Sequence, residues 1–239
     1  MNHVMLMAGG TGTRFGATIP KQYTVIDGQP VFWYIVESYL KIPEIDSITI
    51  VTNAQWLGFV EETVQKSGYA ARIQITNGGE TRSESVLNGL RKLSQTAQPD
   101  DVVLIHDATH PYVDADGTHM IIAETKIYGG ATLASFEYDT CYEVNDNHVI
   151  QNVIPRQSLA VGASPEAFLF GKILEIYTTT SKDELSKMTS AGAIAIANGI
   201  EMKVVETNLL NLKITYKRDM ELFKNLYGTY FFSGRGDMT

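Results

Sequence analysis

Short apolar runs alternate with amphipathic segments along the chain as far as Phe136. The apolar runs have the length and composition of buried strands, and the segments between them repeat their apolar positions at helical spacing. The runs are "HVMLMA", "SITIVT", "ARIQIT", "DVVLIHD" and "ATLASF", and the helical stretches cover about 31–41, 57–67, 83–95 and 117–128. This alternation predicts an α/β fold: a Rossmann-like, mostly parallel, twisted sheet with helices on both faces.

The pattern changes between Glu137 and Ala160. Two β-prone runs of modest apolar content flank an Asn-Asp-Asn turn there, which predicts a projecting β-hairpin. Such a hairpin cannot bury much by itself, so it either lies on the sheet or reaches another subunit. The chain after it predicts a helix from about Pro165, another near 188–198, a strand "MKVVET" and a last helix following "NLKITYKRDM". We expect one domain over 1–239, with 137–160 as an arm.

Composition narrows the choice of partners. At 239 residues and 44% hydrophobic, the chain can bury a full core. A net charge of -8 without a Lys/Arg block argues against a nucleic-acid or membrane partner, so an anionic ligand needs a local cluster of cations. The single cysteine, Cys141, excludes an internal disulfide and fits a reducing compartment. No stretch approaches membrane-spanning length and the first apolar run is unlike a signal peptide, so we expect a cytoplasmic protein.

A glycine-rich stretch, "LMAGGTGTRFGATIPKQY" (6–23), follows the first apolar run. Glycines at 9, 10 and 12 allow backbone N–H groups to approach an anion, and Arg14 and Lys21 add two full charges. The motif alone leaves a phosphate loop and a plain turn both open. The stretch does not end in the Gly-Lys-Ser/Thr of a Walker loop, and the second strand lacks an acidic residue for a ribose. Chemistry other than that of a P-loop or NAD enzyme is therefore indicated.

Six segments, taken in order, carry a family resemblance. They are "MAGGTGTRFG" with "PKQY", "NGGETRSESVLNGL", "LIHDATHPYV", "YDT", "PRQSLAVGASPEAF" and "NLKIT", and they span about 3–225. The chain resembles the CTP-dependent cytidylyltransferases that activate small polyol phosphates, whose best-known members act on 2-C-methyl-D-erythritol 4-phosphate or ribitol 5-phosphate. The resemblance implies a single nucleotidyltransferase domain that transfers CMP from CTP to a small polyol phosphate and releases pyrophosphate.

The resemblance also implies site residues. Cytidylyl transfer is an in-line attack on the α-phosphorus of CTP, so the protein has to align the reactants and neutralise charge. By similarity, Arg14, Lys21 and Lys213 are the catalytic cations, and Asp107 holds a Mg²⁺ ion together with phosphate oxygens. His106 is interpreted as a packed residue, because a phosphate needs no general base. The nucleotide-binding residues implied are Ala8, Gly9, Gly10, Gly12, Gly79, Glu80, Arg82, Ser85 and Asp107.

Gly79, Glu80 and Ser85 are expected around the cytosine, with Arg82 as an organiser of their loop. A plain structural interpretation stands beside this one: Ser83 could simply cap the helix that follows. Both interpretations can hold together.

The resemblance places Thr140 and Arg156 on the acceptor side, in a hairpin that clasps the partner in relatives, and so implies a homodimer. An arginine fork suits a polyol phosphate group. Several acceptor-side positions depart from the family pattern: His110 replaces an arginine, Ser190 an aspartate, "SPEAF" replaces "T-P-Q-x-F", and Leu210 replaces an acidic residue or glycine.

The departures and the double glycine of "AGGTGTR" favour ribitol 5-phosphate, or a similar cell-surface polyol, as the acceptor. The alternative is 2-C-methyl-D-erythritol 4-phosphate, for isoprenoid synthesis. From other classes, a non-catalytic nucleotide-binding regulator and a sugar-nucleotide pyrophosphorylase also remain. The intact cations at 14, 21 and 213 disfavour the regulator, and the short front loop disfavours the pyrophosphorylase.

Overall fold

A computed structural model of the chain describes residues 1–10, 18–207 and 209–227. The strands are β1 (Asn2–Met7), β2 (Val25–Ile26), β3 (Gln29–Pro30), β4 (Ser47–Thr52), β5 (Ile73–Asn77), β6 (Val102–Asp107), β7 (Gly129–Phe136), β8 (Cys141–Val144), β9 (Ile150–Ile154), β10 (Ala160–Leu169) and β11 (Glu201–Glu206). The helices are α1 (Val31–Leu40), α2 (Leu57–Lys66), α3 (Arg82–Leu93), α4 (Ala115–Tyr128), α5 (Phe170–Thr179), α6 (Lys182–Lys187), α7 (Ala191–Ala197) and α8 (Lys217–Leu226).

A seven-stranded sheet in the order β11-β7-β10-β6-β1-β4-β5 forms the centre. β1 pairs in parallel with β4 and β6, β4 with β5, and β7 with β11. β10 runs antiparallel to both β6 and β7. The sheet is therefore mostly parallel, as the sequence pattern predicted.

Side chains of β1 show why helices cover both faces of the sheet. Val4 and Leu6 pack into a cluster with α1 and α2, whereas Met5 packs into a second cluster with α3 and α5. Successive side chains of a strand point to opposite faces, so an apolar run of this kind needs cover on both sides. The predicted α/β class is confirmed.

The prediction of a helix from about Pro165 was wrong, because that segment forms β10 and α5 begins only at Phe170. "AVGASPEAFL" has few β-branched residues, and a proline commonly opens a helix. Pairing with β6 and β7 makes the segment a strand, and the register shift between Gly162 and Glu166 accommodates the proline, which has no N–H to donate. The helix predicted near 188–198 is α7, and the short α6 was not predicted.

The hairpin arm is a separate two-stranded sheet of β8 and β9. Tyr142 pairs with Val153 and Val144 with Ile150, and all four side chains are at least half exposed. One face of the arm is thus apolar and uncovered within the chain.

A third cluster of buried side chains holds the end of the described chain against α1. Ile214 and Phe223 pack there with Tyr34, and the Ile214 N–H donates to the Thr109 carbonyl at 2.8 Å. This packing fixes the segment that carries Lys213. None of the described helices is long and apolar enough to cross a membrane.

Candidate active site

A cleft of about 740 Å³ opens at the carboxyl edge of the sheet. Its walls come from the ends of four parallel strands: Gly9 and Gly10 after β1, Asn53 after β4, the loop 78–82 after β5 and Asp107 at the end of β6. β1 lies between β4 and β6, so the chain changes direction across the sheet at this point. Open α/β sheets bind ligands at such a switch point.

Two glycines of the β5–α3 loop allow it to lie against the start of α3. A Cβ added to Gly78 would stand 2.7 Å from the Ser85 hydroxyl, and one added to Gly79 would stand 2.3 Å from Cβ of Glu84. Because neither glycine has a Cβ, the loop can approach α3 closely: the Gly79 N–H donates to the Ser85 hydroxyl at 3.0 Å, and Ser85 donates to the Thr81 carbonyl at 2.9 Å. This rigid loop forms one wall of the cleft.

Thr81, and not Ser83, caps α3: its side chain accepts a hydrogen bond from the Glu84 N–H at 3.1 Å. The alternative cap offered from the sequence is therefore wrong. Ser83 is the second residue of α3 and is buried, and its hydroxyl donates to the Leu185 carbonyl at 2.9 Å. Ser83 thereby joins the nucleotide-side loop to α6.

Cations surround Asp107 on the floor of the cleft. Arg82 donates to one carboxylate oxygen at 3.0 Å, and the ammonium group of Lys213 lies 3.5 Å from the other. Burial alone raises the pKa of Asp107, but the charges of Arg82 and Lys213 outweigh burial and hold that pKa below its usual value. Asp107 is therefore ionised at pH 7.

The single carboxylate of Asp107 fits a hard cation that takes most of its other ligands from the substrate. Within residues 1–10, 18–207 and 209–227, no three His, Cys, Asp or Glu side chains are grouped as metal ligands. One carboxylate combined with substrate phosphates is a common arrangement for Mg²⁺. Asp107 suits that role because it is an ionised carboxylate that faces the cleft.

His106 is fully buried, and burial lowers its pKa to about 4. Its Nε2 lies 2.8 Å from the His110 carbonyl, which can only accept, so Nε2 carries the proton and Nδ1 accepts from the Tyr39 hydroxyl at 2.8 Å. Burial, with the nearby His106 and Lys213, lowers the pKa of His110 to about 3. Both rings are neutral at pH 7, which agrees with the interpretation of His106 as a packed residue.

A buried polar network lies behind Arg82. Glu166 on β10 accepts a hydrogen bond from the Gly192 N–H at 3.0 Å, and burial raises its pKa while the charge of Arg82 opposes that rise. His110 contacts the Ser164 hydroxyl at 2.7 Å through Nδ1. Sequence reasoning gave Glu166 and Ser164 no role, and only their quoted motif "SPEAF" could have drawn attention to them.

The structure brings most of the predicted nucleotide-side residues together. The cleft is lined by Gly9, Gly10, Lys21, Gly79, Glu80, Arg82, Ser85, Asp107 and Lys213. Ala8 is buried behind the lining, where its carbonyl accepts hydrogen bonds from Gln22 and Tyr23. The predicted residues Gly12 and Arg14 lie outside the described residues.

The predicted acceptor-side residues stand apart from this cleft. Thr140 and Arg156 are exposed on the arm and do not line the cleft of their own chain. The Arg156 guanidinium donates to the Tyr138 carbonyl at the base of the arm.

The sheet, the switch-point cleft and its cations define an α/β nucleotide-binding protein of the nucleotidyltransferase class. The family described as "IspD: 2-C-methyl-D-erythritol 4-phosphate cytidylyltransferase" matches residues 2–227. The chain belongs to this family, and it is a CTP-dependent cytidylyltransferase. The suspected family and the enzyme class are thus confirmed.

Relatives and solved structures agree with the family. A 2-C-methyl-D-erythritol 4-phosphate cytidylyltransferase of Petrotoga mobilis is 31% identical over 227 residues, covering 95% of this chain and 98% of the relative. The Francisella tularensis enzyme of that name is 27% identical with a TM-score of 0.76, covering 92% of this chain and 97% of its own. A synthase of Anaerococcus prevotii, 22% identical with a TM-score of 0.78 and 95% coverage of both chains, shows the same fold.

The comparisons do not support the preference for ribitol 5-phosphate that the sequence departures suggested; the alternative acceptor is better supported. The departures at His110, Ser190 and Leu210 lie within a chain that matches this family over nearly its whole length. Enzymes of the family generally depend on a divalent metal.

Proposed function

We propose that the chain transfers CMP from CTP to 2-C-methyl-D-erythritol 4-phosphate in isoprenoid synthesis, releasing pyrophosphate. The observation that carries this proposal is the 31% identity to the Petrotoga mobilis enzyme across 95% of the chain. The cleft supports it, because the cations Lys21, Arg82 and Lys213 line one cleft of about 740 Å³, which is large enough for a nucleoside triphosphate. We propose that the reaction takes place in the cytoplasm, within one domain over 1–239.

The reaction joins several negative charges, and the lysines neutralise them. The acceptor phosphate is already anionic near pH 7, so its oxygen attacks the α-phosphorus without a general base. Lys21 and Lys213 stabilise the charge that develops on the transferred group, together with Arg14. His106, with both ring nitrogens engaged, and His110, whose Nδ1 contacts Ser164, are neutral and take no proton in this scheme.

Mg²⁺ is the proposed metal, and it would neutralise triphosphate charge beside the attacked phosphorus. Asp107 would hold it together with phosphate oxygens, since this carboxylate is ionised on the floor of the cleft.

Cytosine selection is assigned to the β5–α3 loop. The loop presents backbone groups of Gly79 and Glu80 beside the Ser85 hydroxyl at the edge of the cleft. Backbone carbonyls and amides at fixed positions can distinguish the cytosine amino group from the carbonyl of uracil.

The arm completes the acceptor site in a homodimer. Thr140 and Arg156 stand apart from the cleft of their own chain, and the arm has one uncovered apolar face. A two-stranded ribbon needs further packing for stability, and a two-fold partner would supply it. We assign Thr140 and Arg156 of each chain to the acceptor phosphate bound by its partner.

Pyrophosphate release by the purified protein tests the acceptor. CTP, Mg²⁺ and either 2-C-methyl-D-erythritol 4-phosphate or ribitol 5-phosphate are supplied, and kcat/KM is measured for each. We expect the first acceptor to be preferred by about a hundredfold or more, since several phosphate and hydroxyl contacts must be made together. A preference for ribitol 5-phosphate, which the double glycine loop favoured, would overturn the proposal.

A further inference from the structure

Gln22 is a buried residue at the phosphate-side wall of the cleft. It belongs to a single tight turn, Lys21–Tyr23, that follows Pro20. Lys21 and Gln22 both border the cleft, but Gln22, like Tyr23, is only 2% exposed, because its carboxamide turns toward the backbone. One short turn therefore carries a cleft cation and two buried polar side chains.

The Gln22 carboxamide spans the backbone that leaves β1. Its nitrogen donates both hydrogens, one to the Ala8 carbonyl at 2.7 Å and one to the Gly10 carbonyl at 2.6 Å. Tyr23 donates to the same Ala8 carbonyl at 2.6 Å and accepts from the Thr52 hydroxyl at 2.6 Å. A side-chain amide is suited to this double contact because it is neutral and has two donors in one plane.

These contacts set the orientation of peptide groups that border the cleft. In a trans peptide the C=O and the following N–H point in opposite directions, so a fixed Ala8 carbonyl also fixes the direction of the Gly9 N–H. Gly9 and Gly10 line the cleft, and glycine has little intrinsic preference to hold one backbone conformation. The rigidity must therefore come from neighbours such as Gln22.

Stacking holds the turn itself in place. The Tyr23 ring lies on the Trp56 ring with centroids 4.7 Å apart and an interplanar angle of 15°. Trp56 follows β4, so the turn is tied to a second strand end besides that of β1. Gln22 thus joins residues 8–10, which follow β1, to a turn that is itself held by stacking against Trp56.

We propose that Gln22 is a positioning residue for the triphosphate of CTP. It couples the β1 exit, Ala8–Gly10, to the turn that carries Lys21, so that backbone N–H groups and the Lys21 ammonium meet the phosphates in one fixed arrangement. Gln22 acts through the backbone, since its carboxamide nitrogen already donates both hydrogens to the Ala8 and Gly10 carbonyls. The inference rests on the CTP-dependent activity of the family and not on the identity of the acceptor.

Loss of Gln22 should weaken the binding only of ligands that carry phosphate groups. Without Gln22, the cytosine wall formed by the β5–α3 loop stays intact, because none of its hydrogen bonds involves this residue. The effect should fall on the triphosphate and spare the nucleoside. A general loss of packing would weaken both.

Binding of CTP and of cytidine to Gln22→Met distinguishes these cases. Methionine keeps the length and removes both donors; Gln22→Asn keeps a shorter amide that can reach one carbonyl. Affinities are measured without acceptor, by calorimetry for CTP and NMR titration for cytidine. We expect Gln22→Met to weaken CTP about tenfold and cytidine less than about twofold, with Gln22→Asn between Gln22→Met and the parent.

Thr125→Val is the matched control, because Thr125 is equally buried, donates to the Ile121 carbonyl at 2.7 Å and lies away from the cleft. It should leave the CTP-to-cytidine ratio unchanged. Equal weakening of CTP and cytidine by Gln22→Met would overturn the proposal, as would unchanged CTP affinity. Failure of both Gln22 variants to fold, judged by circular dichroism, would also overturn it, since Gln22 would then serve folding.

Discussion

The cleft and the arm differ in how much of their structure the chain supplies. Around the cleft, glycines, caps and cations are held by hydrogen bonds from neighbouring elements, and Asp107 is balanced by Arg82 and Lys213. On the arm, Tyr142 and Val153 pair across two strands and stay half exposed. One chain by itself forms the cleft, whereas the acceptor site is proposed to need two.

Replacing Lys21 by alanine should reduce activity more than any other change considered. We expect turnover to fall at least about a hundredfold, while CTP affinity falls less than about tenfold, because the lysine contact strengthens in the transition state. Steady-state pyrophosphate release gives the rate, and calorimetry gives the affinity. Lys66→Ala, an exposed lysine on α2, is the control. A folded Lys21→Ala protein with parental turnover would remove Lys21 from the mechanism.

Replacing Arg156 by alanine should affect the acceptor alone. The loss of a charge-assisted contact costs about 2 kcal/mol, so we expect the acceptor KM to rise roughly thirtyfold with CTP affinity unchanged. Initial rates at varied acceptor concentration provide the test. Arg91→Ala, at the exposed end of α3, should match the parent. Equal losses for CTP and acceptor would show that the arm has no separate role.

Acid should destabilise the folded protein through His106, the residue before Asp107 on β6. Burial holds the pKa of His106 at about 4 in the folded protein, against an ordinary value of 6.5, so His106 contributes stability fully above pH 6.5 and loses it as the pH falls toward 4. We expect the free energy of unfolding to drop by about 2 kcal/mol from this residue by pH 5.

Urea unfolding of the parent and of His106→Gln at pH 7.5 and 5 checks this expectation. Glutamine cannot be protonated, so its pH-dependent loss should be smaller by that amount. Identical pH dependence in the two proteins would show that His106 is not held neutral by burial.

The smallest effect is expected from Asp107→Asn. Removing one negative ligand lowers affinity for a hard cation, and we expect the Mg²⁺ concentration for half-maximal activity to rise about tenfold. A Mg²⁺ titration at saturating CTP makes the measurement. Asp100→Asn, on an exposed turn, serves as the control. An unchanged titration for Asp107→Asn would remove this carboxylate from the metal site.

The strands of the first half were predictable because their pattern reflects burial on both faces. "SITIVT" forms β4 over the same six residues, since both faces of this apolar, β-branched run are covered. β10 was not predictable, because "GASPEA" has no such pattern and becomes a strand only between β6 and β7. Local sequence cannot report the partner that a tertiary pairing provides.

The candidate site was predictable where chemistry demands a particular residue type. Glycines 78 and 79 and the charges of Lys21 and Asp107 signalled a phosphate and base pocket, and they line one cleft. Gln22 and Glu166 gave no such signal, because a buried glutamine and glutamate act through contacts with backbone distant in sequence. Their roles follow only from contacts in the folded structure.

Mixing two defective proteins tests most directly whether the arm of one chain serves the cleft of the other. Lys21→Ala has a disabled cleft and an intact arm, and Arg156→Ala has the reverse. After subunit exchange, half of the dimers are mixed and each holds one complete site, so activity at low acceptor concentration should recover to about a quarter of the parent's. Activity that stays at the average of the two separate variants would contradict a site shared between subunits.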